Sequence, residues 1–188
     1  MRTSSLPLAA ALVAALALAA CDGGPGPDLA DGPILPLDVG NTWTYEADGE
    51  PALRLTVGQP VDVEGEPYFA LRIAEGNRTS DEYARAVGDD PDPLGAELLY
   101  LAPISGGATY REATVYRYPI DGGTYVDGGR TYRVARERVT VPAGTFEVVT
   151  YSGYDGDPTV SASFAPGVGI VRFFDGSDAR VLADYTVR

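Results

Sequence analysis

The chain has 188 residues, with 14 basic side chains (all Arg) against 27 acidic ones, and it holds no His, no Lys, one Cys and one Trp. Without His or Lys there is no Ser-His-Asp or Cys-His catalysis, no imidazole-held metal, no Schiff base and no P-loop lysine, and a single Cys forms no internal disulfide. A net charge of −13 argues against nucleic acid and anionic lipid headgroups as partners.

Residues 1–20 have a signal-peptide layout: Arg2, then an apolar run from Leu6 to Ala20 broken only by Pro7. As a helix that run would span about 22 Å, short of the ~30 Å hydrocarbon core, which weighs against the alternative of a transmembrane anchor. It ends Leu18-Ala19-Ala20-Cys21, which resembles the lipobox of bacterial lipoproteins. The resemblance implies that the Cys21 thiol takes a diacylglyceryl group, and that the small Ala19 and Ala20 let a peptidase reach the bond before it. Two or more acyl chains make a stable anchor. Cys21 is therefore expected to be a lipid attachment point and not a nucleophile. Asp22 resembles an inner-membrane retention signal of enteric bacteria, but other phyla sort differently, so the choice of membrane stays open.

Residues 21–33 hold the lipidated Cys and a flexible tether, since Asp22–Pro33 has seven Gly or Pro in twelve residues. As a coil it would reach about 20 Å root-mean-square. Residues 34–188 then suit one domain. Short alternating runs of aromatic and β-branched residues recur there, beginning with Thr42–Tyr45, Leu53–Val57 and Tyr68–Ile73. They continue through Thr114–Tyr118, Tyr132–Arg136 and Val139–Val141 to Phe146–Tyr151, Thr159–Phe164, Ile170–Phe174 and Arg180–Val187. Clusters of Gly, Pro and Asp separate them. This pattern predicts an all-β domain of antiparallel strands in a sandwich or barrel. Asp81–Val87 and Gly95–Leu101 are the best helix candidates, and both are short.

Internal similarity is slight. Pro36-Leu37-Asp38-Val39-Gly40 and Pro119-Ile120-Asp121-Gly122-Gly123 share a Pro-apolar-Asp-x-Gly pattern, each followed by Thr and an aromatic residue. A duplicated half-domain would produce this, and so would one turn chemistry used twice before a strand, which is the simpler reading.

Three segments together carry a wider resemblance: Pro36–Tyr45, with Gly40-Asn41-Thr42-Trp43; Val139–Glu147, with Pro142-Ala143-Gly144-Thr145-Phe146; and Phe164–Arg172, with Pro166-Gly167-Val168-Gly169. The set resembles a group of uncharacterised bacterial secreted proteins and lipoproteins called TapB-like. That group is similar in turn to the curved half-barrels of the LolA and LolB lipoprotein carriers. The resemblance implies a strongly curved sheet, half-barrel or barrel-like, and brings no established activity. Each segment also has a structural reading. Pro142–Gly144 makes a tight hairpin that returns Phe146 to the core, Pro166-Gly167 makes a turn ahead of an apolar strand, and Trp43 and Tyr45 share one strand face. None precedes a helix, as a phosphate cradle would require.

Carboxylates are the plentiful reactive groups. Asp89, Asp90 and Asp92, and Asp155 and Asp157, are candidate Ca²⁺ loops, although none has the twelve-residue spacing with a terminal Glu. Solvated turn Asp is the simpler reading. Tyr116, Tyr118, Tyr125 and Tyr132 are candidates to line a cavity for an apolar ligand, or else they fill the core. Arg133, Arg136 and Arg138 concentrate positive charge that would suit an anionic partner, but the simpler expectation is that they pair with acids on neighbouring strands. No cofactor is implied.

The expectation is a non-enzymatic cell-envelope lipoprotein, facing the periplasm or exterior, whose β domain binds or carries an apolar ligand. The alternatives are an interaction protein with a filled core, meeting another envelope protein, and a hydrolase built on paired carboxylates. Asp outnumbers Glu by 17 to 10. With no Lys, that fits either a halophilic setting, in which stability would rise into molar salt, or a GC-rich genome.

Overall fold

A computed structural model describes residues 30–88, 94–103, 109–120, 122–127, 129–154, 157–176 and 178–188, with backbone alone at 102–103, 109–111, 154, 157–159 and 175. Cys21 and the rest of 1–29 lie outside these residues, as do Asp89, Asp90, Asp92 and Asp155. Of Asp157 only the backbone is described; it pairs with Tyr154.

The strands are β1 (Thr42–Ala47), β2 (Glu50–Val63), β3 (Glu66–Glu75), β4 (Arg78–Val87), β5 (Gly95–Pro103) and β6 (Thr109–Tyr116). The second half adds β7 (Gly123–Asp127), β8 (Arg130–Val141), β9 (Gly144–Tyr154), β10 (Asp157–Ala165), β11 (Gly169–Asp175) and β12 (Ala179–Thr186). All twelve form one antiparallel sheet in the order β6-β5-β4-β3-β2-β1-β12-β11-β10-β9-β8-β7. Every hydrogen-bonded neighbour is therefore a neighbour in sequence, except where the first strand meets the last. The sheet curls until it is nearly closed into a barrel, so the curved all-β expectation holds.

The open seam lies between β6 and β7. Side chains tie it: Tyr125 donates its hydroxyl to the Val115 carbonyl at 2.7 Å, Tyr151 donates to the Arg117 carbonyl at 2.6 Å, and Arg130 pairs with Glu112. In sequence the two Pro-apolar-Asp-x-Gly segments stand at similar places, the first ending one residue before β1 and the second running into the first residue of β7, the first strands of the two six-strand halves, although Asp121 lies outside the described residues.

The two helix candidates are strands. Asp81–Val87 falls in β4 and Gly95–Leu101 in β5, paired Tyr83↔Leu99, Ala84↔Leu98 and Arg85↔Glu97. Ala, Glu and Leu give these runs a helical bias. Pairing overrides it, because alternation sends Ala84, Ala96 and Leu98 to the concave face and Arg85 and Glu97 to the convex one. There Arg85 donates to Glu97 at 2.7 Å and stacks over Tyr68, making a convex cluster in which Tyr68 and Glu97 are buried.

The concave face carries the core. Register places Trp43 opposite Leu55 and Tyr185, and Tyr45 opposite Leu53 and Leu182. The chain enters across the barrel end, with Ile34, Leu35 and Pro36 buried. Ile34 N–H donates to the Leu94 carbonyl, and Gly167 N–H donates to the Pro33 carbonyl.

The three sequence segments have structural jobs. Val141 pairs with Gly144, so Pro142-Ala143 is a two-residue hairpin loop, and Gly144 has a positive φ of 143°. Phe146 then returns to pack edge-on against Tyr185. The Pro166-Gly167 turn joins β10 to β11.

Candidate functional site

The barrel interior is divided. Beneath β6 to β10 it is filled by aromatic rings. Tyr125 stacks on Tyr132 at 4.9 Å, and Tyr116 meets Tyr151 at 5.1 Å and Phe164 at 4.7 Å. Burial pushes the hydroxyls of Tyr125 and Tyr151 far above the ordinary phenol range.

Beneath β1–β5 and β10–β12 the interior is hollow. A cavity of about 410 Å³ opens there, within the range of small-molecule sites. Its walls include Leu53 and Leu55 of β2, Ile73 of β3, Leu98 of β5, and Ile170 and Phe173 of β11. Tyr116 is the partition: one side faces the aromatic cluster and the other lines the cavity. Tyr45 adds a second aromatic wall, edge-on to Phe173 at 5.3 Å. Its hydroxyl donates to the Ile170 carbonyl at 3.0 Å, and burial pushes its pKa far up, so it stays neutral.

The charged groups of the lining are Glu75, Glu82 and Arg180. Arg180 donates to Glu75 at 3.0 Å and lies over the Phe173 ring at 5.4 Å, forming a paired edge to the cavity. Glu82 differs. It stands on β4 opposite Leu71, two residues from the fully buried Ala84, on the same concave face. Among the described residues it makes no hydrogen bond or ion pair. Burial raises its carboxyl above the usual carboxylate range, with no opposing charge to bring it down. The cavity thus has mainly apolar and aromatic walls with the hydroxyls of Ser80 and Ser161 among them, one satisfied ion pair, and one carboxyl that makes no hydrogen bond or ion pair among the described residues.

Of the four tyrosines read from sequence as lining candidates, Tyr116 borders this cavity, while Tyr125 and Tyr132 belong to the filled cluster. Tyr118 is half-buried at the seam, beside Val115 and Arg117 in a separate hollow. Among the arginines of β8, Arg138 pairs with Glu147, Arg136 donates to the Ile120 carbonyl at 3.3 Å, and Arg133 is exposed. The residues the sequence did not flag are Glu82, Arg180 and Phe173. A signal for Glu82 existed in its parity with Ser80 and Ala84, but it becomes legible only once the segment is known to be a strand.

No protein-family model and no curated protein matches the chain. Among solved structures, a Bacteroides fragilis protein with a YmcC-like fold aligns with a TM-score of 0.47 at 16% identity, covering 81% of this chain and 98% of that one. A likeness of this degree carries no argument about function.

Proposed function

We propose that this protein is a cell-envelope lipoprotein, anchored through Cys21, whose barrel takes up an apolar small molecule without catalysing its conversion. The 410 Å³ hollow carries the reading: leucine, isoleucine and aromatic side chains line it, where a purely structural barrel would be filled. The leader ending in Leu18-Ala19-Ala20-Cys21 supports the anchor, and the Gly- and Pro-rich tether lets the domain sample the space above a membrane. The filled aromatic cluster beneath β6–β10 favours a second reading, an interaction protein working through its surface.

Native mass spectrometry of the protein mixed with extracted envelope lipids separates the two. An apolar species retained by the wild type and lost when Leu55 and Ile73 are both changed to polar residues supports binding. A spectrum of protein alone would overturn it. The anchor has its own test: radiolabelled palmitate should be incorporated by the wild type and not by Cys21→Ser.

A further inference from the structure

We propose that the ligand of the barrel cavity is an apolar molecule bearing one protonated amine, which Glu82 receives as its counter-ion. The inference rests on the binding reading and specifies the ligand's chemistry. The cavity wall carries two carboxylates and one guanidinium, and the guanidinium of Arg180 is committed to Glu75. One carboxyl is therefore in excess over the cations, and it is Glu82, beside Leu71, Ile73 and Leu98.

An unpaired carboxylate in apolar surroundings is unfavourable, and a ligand ammonium relieves it by a charge-assisted hydrogen bond that is stronger where water is scarce. The rings of Tyr45 and Tyr116 add favourable contacts for a cation and for an apolar body, while Phe173 already carries the Arg180 guanidinium over its ring. A ligand carboxylate would meet Glu82 as a like charge, and an alcohol would leave the charge uncompensated. The molecule as a whole carries −13, which concentrates cations at its surface.

The groups sharing Glu82's surroundings do not substitute for a ligand. From β3 comes Glu75, held by Arg180 of β12, and Arg78 at the β3–β4 turn is exposed opposite Glu75. Tyr45 of β1 is committed to the Ile170 carbonyl, and Glu112 of β6 to Arg130. Tyr100 lies two residues beyond Leu98 on β5, and Tyr116 packs against Tyr151 and Phe164. Burial favours the neutral form of Glu82 in the empty cavity, so an ammonium that holds it ionised binds better as pH rises.

The test is calorimetric titration of the purified full chain with octylamine, octanol and octanoate, three probes alike in their apolar part. Near pH 8 octylamine should bind roughly tenfold or more tightly than octanol, with octanoate weakest. Its lead should shrink near pH 5, while octanol stays unchanged. Glu82→Gln should bring octylamine down to the level of octanol. Equal affinities for amine and alcohol in the wild type, or an amine lead that survives Glu82→Gln, would overturn the amine inference and leave the apolar cavity standing. If none of the three probes binds, both readings fail. The wild-type series gives its answer without any variant.

Discussion

Trp43, near the start of the first strand, donates its indole N–H to the Val168 carbonyl at 2.6 Å, across 125 residues of sequence. Gly169 makes that contact possible, because a Cβ there would stand 2.9 Å from Trp43 Nε1, at a backbone φ of 111°. Two of the three segments that look familiar in sequence are thus two halves of one joint. Tyr45 repeats the arrangement one pleat further on, donating to Ile170.

Gly169→Ala should therefore be costly twice, through backbone strain and through displacement of the indole. A loss of about 2 kcal/mol or more is expected in denaturant unfolding. Tryptophan emission, which reports the only indole in the chain, should shift to the red in the folded variant. A neutral substitution would mean that the joint is looser than its geometry.

Asn41 is fully buried and braces both ends of the domain, donating to the Pro36 carbonyl and accepting from Arg188 N–H, each at 3.1 Å. Asn41→Ala should cost about 2 kcal/mol, since a buried carbonyl loses its donor. Amide hydrogen exchange at Val187 and Arg188 should accelerate more than elsewhere.

The seam offers a local test. Tyr125→Phe and Tyr151→Phe keep the rings and remove the hydroxyls that reach Val115 and Arg117. Each should cost about 1 kcal/mol. The measurable effect is faster exchange along β6 and β7, with β1 and β12 unaffected.

Glu82 makes a prediction about pH in the empty protein. Its folded pKa is raised, so its contribution to stability is fully present below the ordinary carboxylate pKa and is lost as pH rises through the folded value. Glu82→Gln should therefore melt higher than the wild type near neutral pH, and the gap should close in acid. A wild type that melts higher at every pH would mean that Glu82 has a partner in solution.

Most strands were legible because aromatic and β-branched residues alternate with a period of two, as in Thr42–Tyr45 and Tyr68–Ile73, whereas β7 lies in a stretch dominated by turn residues. The hairpin at Pro142-Ala143 was legible because its turn chemistry is local. β4 and β5 were not, since Ala84, Ala86 and Ala96 carry little strand preference of their own and take their state from their neighbours. The hollow was illegible for a different reason. Whether aromatic residues fill an interior or line it depends on curvature, so Tyr116, Tyr125 and Tyr132 look alike in sequence, yet only Tyr116 meets the cavity. Glu82 is one acid among 27, and its parity with Ser80 and Ala84 marks it only once β4 is known to be a strand.

The pairing of β1 with β12 also sets an order of events. Synthesis delivers Thr42–Ala47 first and Ala179–Thr186 last, and these strands are direct neighbours. Until β12 arrives, β1 presents a bare row of backbone groups to whatever strand is nearby. A chain lacking residues 179–188 would lose β12 alone, keep eleven strands and gain two more open edges at its centre. Escorting that unfinished edge, until β12 seals it, would fall to whatever machinery handles the nascent chain.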